Sequence, residues 1–236
     1  ITGTVEEEET DAIEAGFKGS FLDDSLYLEV AAFITTIENV QQAAAIQTPG
    51  GLPVNTVLNA GDATTQGIEW TLRATPTEGL DLTFTGAYVD ATVDDDFFAP
   101  GSDPSDPNNT PLFAEGSTLT LVPELTLSGV VSYSWLLGDS GLDARFAVAA
   151  QYTSELELTQ LASTGLVGDN ITRVDARFEI GKGPWSVYLF GDNLLNEDGV
   201  MIRGTLAREN VLAGLGAGPR SEEHTSELQS LAYLVC

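Results

Sequence analysis

Acyl transfer by a serine needs an imidazole beside it, and a soft metal needs imidazole or thiolate ligands. This chain offers one histidine, His224, and one cysteine, Cys236. Both follow Arg220, in a stretch whose opening Arg220–Ser230 spells RSEEHTSELQS. That string reads as the translation of a common sequencing-library adapter. Residues 220–236 are therefore expected to be a non-biological tail, with Leu231–Cys236 as read-through, and neither residue is assigned chemistry. Residues 1–219 then contain no histidine and no cysteine. No catalytic group, metal site or cofactor is expected, and the chain does not read as an enzyme. Hard oxygen ligands are the remaining option. Asp94, Asp95 and Asp96, followed by Asp103 and Asp106, could gather Ca2+. Their spacing is not that of an EF-hand loop, and a solvated acidic loop is the simpler account. Glu6–Glu9 reads the same way, as a solvated run.

Other side chains could touch a ligand or partner. Phe97, Phe98 and Phe113 sit in the same polar loop and could meet a ligand, although packing of the loop on itself is simpler. Lys18, Arg73, Arg145, Arg173 and Arg177 are interleaved with Glu69, Asp143, Asp175 and Glu179. Opposite charges at such spacing suggest ladders of ion pairs along a wall, or a polar face turned to another domain. Nucleic acid is excluded as a partner, because a formal net charge of −27 repels phosphate. No ligand-binding residue can be named from these patterns.

The elements that must carry these groups are legible from alternation. On a strand, successive side chains point to opposite faces. Leu125, Leu127, Gly129, Val131, Tyr133 and Trp135 form one face, and Thr126, Ser128, Val130, Ser132 and Ser134 the other. The same parity runs through Ile13–Phe17, Leu26–Ile34, Ile68–Ala74, Leu80–Tyr88, Leu142–Tyr152, Val174–Ile180 and Trp185–Leu189. Short turns are expected at Gly19–Asp24, Pro76–Gly79, Gly138–Gly141 and Gly181–Pro184. Long polar loops are expected near 38–66, 94–122, 154–170 and 196–218. Pro49-Gly50-Gly51 and Asn59-Ala60-Gly61-Asp62 are loop chemistry.

Three features separate a membrane barrel from a soluble sandwich, which also alternates. The strands are longer than the usual five or six residues of soluble sheets. Short turns and long loops alternate strictly. All five strand-borne cations fall on the polar face, as they must if the other face meets lipid, where a charge costs roughly 2–4 kcal/mol at midplane. Trp135 and Trp185 lie beside short turns on the apolar face, and Tyr88 and Tyr152 also belong to that face. Together they are expected to form lipid-facing aromatic girdles. Trp70, nearer a strand centre, fits less well. Asp90 breaks parity at the loop end of its strand. No run of about 18 apolar residues exists, so no transmembrane helix is expected. The first residue is Ile1 and no signal peptide precedes it, so a fragment is expected. The fold class is thus all-β, an antiparallel transmembrane β-barrel fragment embedded in outer-membrane lipid. Its short turns should face the periplasm and its long loops the outside.

The segments so placed resemble the C-terminal barrel of TonB-dependent outer-membrane receptors. Glu14-Ala15-Gly16-Phe17-Lys18 is similar to the family's E-x-G-x-K strand, followed by a turn and an A-x-F strand, here Ala31-Ala32-Phe33. Asn59-Ala60-Gly61 leading to Gly67-Ile68-Glu69 is similar to its N-A-G…G-x-E pattern. Pro76 and Gly79-Leu80, then Tyr88–Ala91, continue the match, and Asn193-Leu194-Leu195-Asn196 resembles the close of a penultimate strand. The resemblance implies about eight strands of a 22-stranded barrel, with residues 1–10 the remnant of an upstream loop and 11–219 the partial barrel. It also implies a plug domain and a TonB-contacting box, both absent from this chain, a missing last strand, and localisation in a Gram-negative outer membrane. The implied function is TonB-energised uptake of a scarce small nutrient such as a siderophore–iron complex, cobalamin or a carbohydrate. A passive porin-like channel and a soluble β-sandwich adhesin are the alternatives; an outer-membrane hydrolase is set aside for want of a histidine.

Overall fold

The computed structural model describes residues 5–47, 53–98, 101–157, 167–199 and 231–235. The chain runs through β1 (Glu9–Phe21), β2 (Leu26–Glu38), β3 (Gln41–Gln47), β4 (Pro53–Asn59), β5 (Ala63–Thr77) and β6 (Leu80–Val93). It continues through β7 (Leu125–Leu136), β8 (Asp143–Thr153), β9 (Ile171–Lys182), β10 (Trp185–Gly191) and β11 (Leu231–Val235). One antiparallel sheet takes the order β1-β2-β5-β6-β7-β8-β9-β10-β11, and β3 and β4 pair separately. Each strand of the large sheet thus lies beside its neighbour in sequence, with only the β3–β4 hairpin interposed. The sheet is all-β and antiparallel as expected, and it is not closed.

The short turns fall at Leu22–Ser25, Glu78–Gly79, Leu137–Leu142 and Gly183–Pro184, within a few residues of the expected positions. The segment 38–66, expected as a loop, is a hairpin instead: β3 and β4 run in register from Gln41↔Asn59 to Gln47↔Pro53. Its strands, QQAAAIQ and PVNTVLN, carry no sustained apolar alternation, so periodicity could not reveal them. The next strand also starts early, at Ala63.

Registers make the parity argument explicit. Lys18 pairs with Glu29, Tyr27 with Arg73, Arg73 with Thr83, and Thr83 with Val130. Farther along, Ser134 pairs with Arg145 and Arg145 with Glu179. One face therefore collects Lys18, Glu69, Arg73, Asp143, Arg145, Arg173, Asp175, Arg177 and Glu179, because facing residues in a ladder share a side. The other face is apolar and bare. Ile13, Phe17, Val131, Trp185 and Leu189 are each at least half exposed. An apolar field across the sheet, with no second layer over it among the described residues, is what a lipid-facing wall presents and what a soluble sandwich buries.

The buried cluster lies at the long-loop end, while Ala144 is buried apart from it at the short-turn end of β8. Val40, Ala60, Ala63, Ala91, Val93, Phe113 and Leu119 form a single cluster, flanked by Ile37, Leu58, Val89 and Phe97. β5 has 15 residues, about 50 Å of extended chain, against a lipid-facing band of roughly 25 Å. Even with tilt, the strand is longer than such a band, and the cluster packs around its long-loop end.

Candidate functional site

Two surfaces could carry function: the polar face of the sheet and the rim of long loops. On the polar face, Arg173 Nε donates to Asp175 Oδ1 at 3.0 Å and Arg177 Nη2 to Glu179 Oε2 at 3.0 Å. Residues two apart on a strand share a face, so these ion pairs run along β9 rather than across strands. Arg177 also lies 4.1 Å from the centroid of the Tyr188 ring, and Arg73 lies 5.8 Å from that of Tyr27, both within cation–π range. Arg145 faces Glu179 in the register but gives its Nη2 to Ser132 Oγ at 3.2 Å, a hydroxyl buried beneath it. Glu29 accepts from Tyr27 Oη at 2.6 Å. The expected ladder is thus partly built, and the aromatic rings and Ser132 that complete it are partners that charge pattern alone did not single out. Tyr27 and Tyr188 had a signal, being aromatic residues on the polar parity.

The polar face carries several hollows, among them one of about 440 Å³ lined by Ser134, Asp143, Arg145, Glu179 and Ser186 and one of about 380 Å³ between Arg145, Ala147, Arg177 and Glu179. Another, of about 430 Å³, is lined by Glu29, Glu69, Thr71, Thr85, Ser128 and Gln151, a surface rich in hydroxyl and amide groups. A further one, of about 370 Å³, is lined by Val130, Ala147, Ala149, Arg177, Tyr188 and Phe190. Among the described residues no three His, Cys, Asp or Glu side chains converge as for a metal. His224 and Cys236 lie outside the described residues.

On the apolar face, Trp135 stacks on Tyr133 with centroids 5.4 Å apart and approaches Phe178 at 6.2 Å. Trp185 is half exposed beside the turn at Gly183–Pro184. Tyr88 and Tyr152 lie toward the opposite, long-loop ends of their strands, where Tyr88 Oη donates to Glu124 Oε1 at 2.8 Å. Asp90, which breaks parity, accepts from Gln66 Nε2 at 3.1 Å, opposite it in the register. Trp70, the residue that fitted a girdle poorly, faces Gly86 across the β5–β6 pair, and its indole lies over the space a Gly86 side chain would fill.

At the rim, the acidic loop folds on itself. Phe97 and Phe113 stack at 5.9 Å, Phe113 is buried, and their backbones exchange hydrogen bonds. The aspartates are used by turns. Asp94 Oδ2 accepts from Thr64 Oγ1, and Asp96 Oδ1 from the Glu115 N–H. Asp103 Oδ1 accepts from the Ser105 hydroxyl and N–H, which hold its carboxyl below the usual aspartate range. The N–H and side-chain amide of Asn108 do the same for Asp106. Asn59 knits three segments, accepting from the Glu6 N–H and donating to the Glu6 and Asn39 carbonyls.

Comparison with known proteins places this geometry. The family model for the TonB dependent receptor-like β-barrel matches residues 1–194. The solved ferric-catecholate import receptor Fiu of K12 E. coli has a TM-score of 0.57 at 20% identity, over 83% of this chain and 24% of its own. The siderophore receptor PiuA of Acinetobacter baumannii gives 0.61 at 20% identity, over 83% and 25%. The ferric yersiniabactin uptake receptor FyuA of Yersinia pestis gives 0.59 at 16% identity, over 84% and 26%. The chain spans about a quarter of the length of these solved receptors.

Proposed function

We propose, from the premise that this chain belongs to the TonB-dependent receptor-like β-barrel family, that it is a stretch of barrel wall in an active nutrient-uptake receptor. Like that family, it resides in the outer membrane of Gram-negative bacteria. The apolar face meets lipid, with Trp135, Trp185, Tyr88 and Tyr152 at its two borders. The polar face, with its Arg173–Asp175 and Arg177–Glu179 pairs, lines the lumen and meets a plug domain through which TonB supplies energy. The substrate class is a scarce metal chelate or similarly sized nutrient. The solved neighbours that import ferric catecholates and ferric yersiniabactin make ferric siderophores the first to test. The observation that carries this reading is the family match across residues 1–194, joined to an open sheet of sequentially paired strands with a bare apolar face.

The test is uptake by cells bearing the whole receptor, with and without a functional TonB. Radiolabelled ferric siderophores, cobalamin and oligosaccharides are offered in turn. Accumulation of one of them that collapses without TonB is the expected result. Accumulation indifferent to TonB would point to a passive channel. No accumulation of any, from a receptor shown to be assembled at the surface, would sink the uptake reading.

A further inference from the structure

The outer loops of a barrel are ordinarily separate excursions, free to move one at a time. Here they are joined. The buried cluster draws Val40 and Ala60 from the loop between β2 and β5, Ala63, Ala91 and Val93 from the strand ends, and Phe113 and Leu119 from the loop between β6 and β7. Main-chain hydrogen bonds run through the same residues. The Val40 N–H donates to the Gly61 carbonyl at 2.9 Å and the Ala60 N–H to the Val40 carbonyl at 2.7 Å. The Asp94 N–H donates to Asp62 at 2.9 Å, Val93 to Ser117 at 2.9 Å and Leu119 to Ala91 at 2.8 Å. Beyond them the Leu121 N–H reaches the Glu157 carbonyl at 2.9 Å, where the loop after β8 begins. Leu121 adopts a left-handed backbone, φ 62°, at that link, a conformation a leucine holds only where its surroundings impose it.

From this continuity we infer that the loops after β2 and β6 form one mechanical body, pinned by Phe113, so that displacement of either is transmitted to the other. Interfaces packed this way switch or hold as units, because a close-packed core does not deform gradually. A ligand touching the hairpin of β3 and β4 would then alter the loop that carries Phe97 and Phe113, with no contact of its own there. The coupling is a property of the packing and holds whatever the receptor imports. Only the statement that this end faces outward rests on the uptake reading.

Hydrogen exchange on the whole receptor in detergent tests it, with peptides covering residues 38–42, 58–63, 91–97 and 113–119, and a control peptide covering 142–149 in β8. In the Phe113→Ala variant, exchange should accelerate at least tenfold at Val40 and Ala60, on the other loop, as much as at Val93 and Leu119. The β8 control should be unchanged, and Phe113→Leu should fall between wild type and Phe113→Ala. Acceleration confined to 91–119 would overturn the inference. Should Phe113→Ala fail to assemble, Val40→Ala gives the reciprocal reading. Acceleration at 113–119 supports the coupling, and an unchanged rate there refutes it. Since no substrate enters either measurement, failure of the uptake reading would leave these outcomes intact.

Discussion

Gly67 and Gly86 are one-letter equals in the sequence, but what surrounds each makes them unequal. A Cβ at Gly67 would collide with the Tyr88 carbonyl oxygen and lie 2.9 Å from the Phe33 ring. A Cβ at Gly86 would meet chiefly the Trp70 indole, 2.6 Å from its Cε2, and the tip of Leu127. Backbone in a paired strand cannot yield without breaking the ladder, whereas an indole on the apolar face of a single sheet can turn aside. Overpacking costs typically 1–3 kcal/mol, so Gly67→Ala should fall near the top of that range and Gly86→Ala near the bottom. Adding Trp70→Ala should relieve Gly86→Ala and leave Gly67→Ala unrelieved. Urea unfolding of the whole receptor, followed by its heat-modifiable mobility, checks the order; equal penalties would contradict it. The same pairs explain what the sequence left obscure. Trp70 looked misplaced because its partner glycine is 16 positions away and visible only through the β5–β6 register. The rim aspartates looked like a possible Ca2+ cluster because sequence shows the carboxylates but not the N–H and hydroxyl groups of Ser105, Asn108 and Glu115 that occupy them.

Strands are the scale at which the sequence was most informative. Parity placed Lys18, Arg73, Arg145, Arg173 and Arg177 on one face before any register was known, because a one-residue slip would turn a whole strand over; Asp90 and Lys182, both toward strand ends, depart from it. The hairpin of β3 and β4 escaped because QQAAAIQ and PVNTVLN hold no sustained alternation for periodicity to detect. Length escaped too: β5 begins at Ala63, several residues before its apolar pattern at Ile68, since its long-loop end follows rim packing. This division can be tested on neighbouring positions of one strand. Phe84 belongs to the apolar face and Thr85 to the polar face, where it lines a hollow with Glu69 and Ser128. Phe84→Arg should cost roughly 2–4 kcal/mol, the penalty of a cation on the lipid face near midplane. Thr85→Arg should cost under about 1 kcal/mol, since its head remains in a wet environment. Refolding yield into lipid vesicles reports both. Equal tolerance of the two would mean that the bare apolar face does not meet lipid.

At the scale of the whole molecule, the decisive fact is that the sheet ends. β1 pairs with β2 on one side, and among the described residues nothing pairs with its other side. β1 has 13 residues, and about half of its N–H and C=O groups point away from β2 by the geometry of an antiparallel ladder. In hydrocarbon each unsatisfied group costs several kcal/mol, and the sum exceeds the stability of an ordinary domain. This wall therefore belongs in a bilayer only when another strand covers β1. Its own core offers no substitute, because the buried cluster sits at the rim and, among the described residues, no second layer covers the rest of the sheet. Residues 1–199 expressed alone should accumulate as insoluble, protease-sensitive protein, with no heat-modifiable species in vesicles. Supplying the remaining strands as a second polypeptide should restore insertion, because the edge would then find its partner. A monomer of residues 1–199 that inserts and resists protease would show that the sheet can curl and pair β1 with its far edge, and the large-barrel reading would give way to a small closed one. Insertion only as a multimer would mean that copies supply each other's missing strands, so that β1 is still covered, by a second copy of the chain.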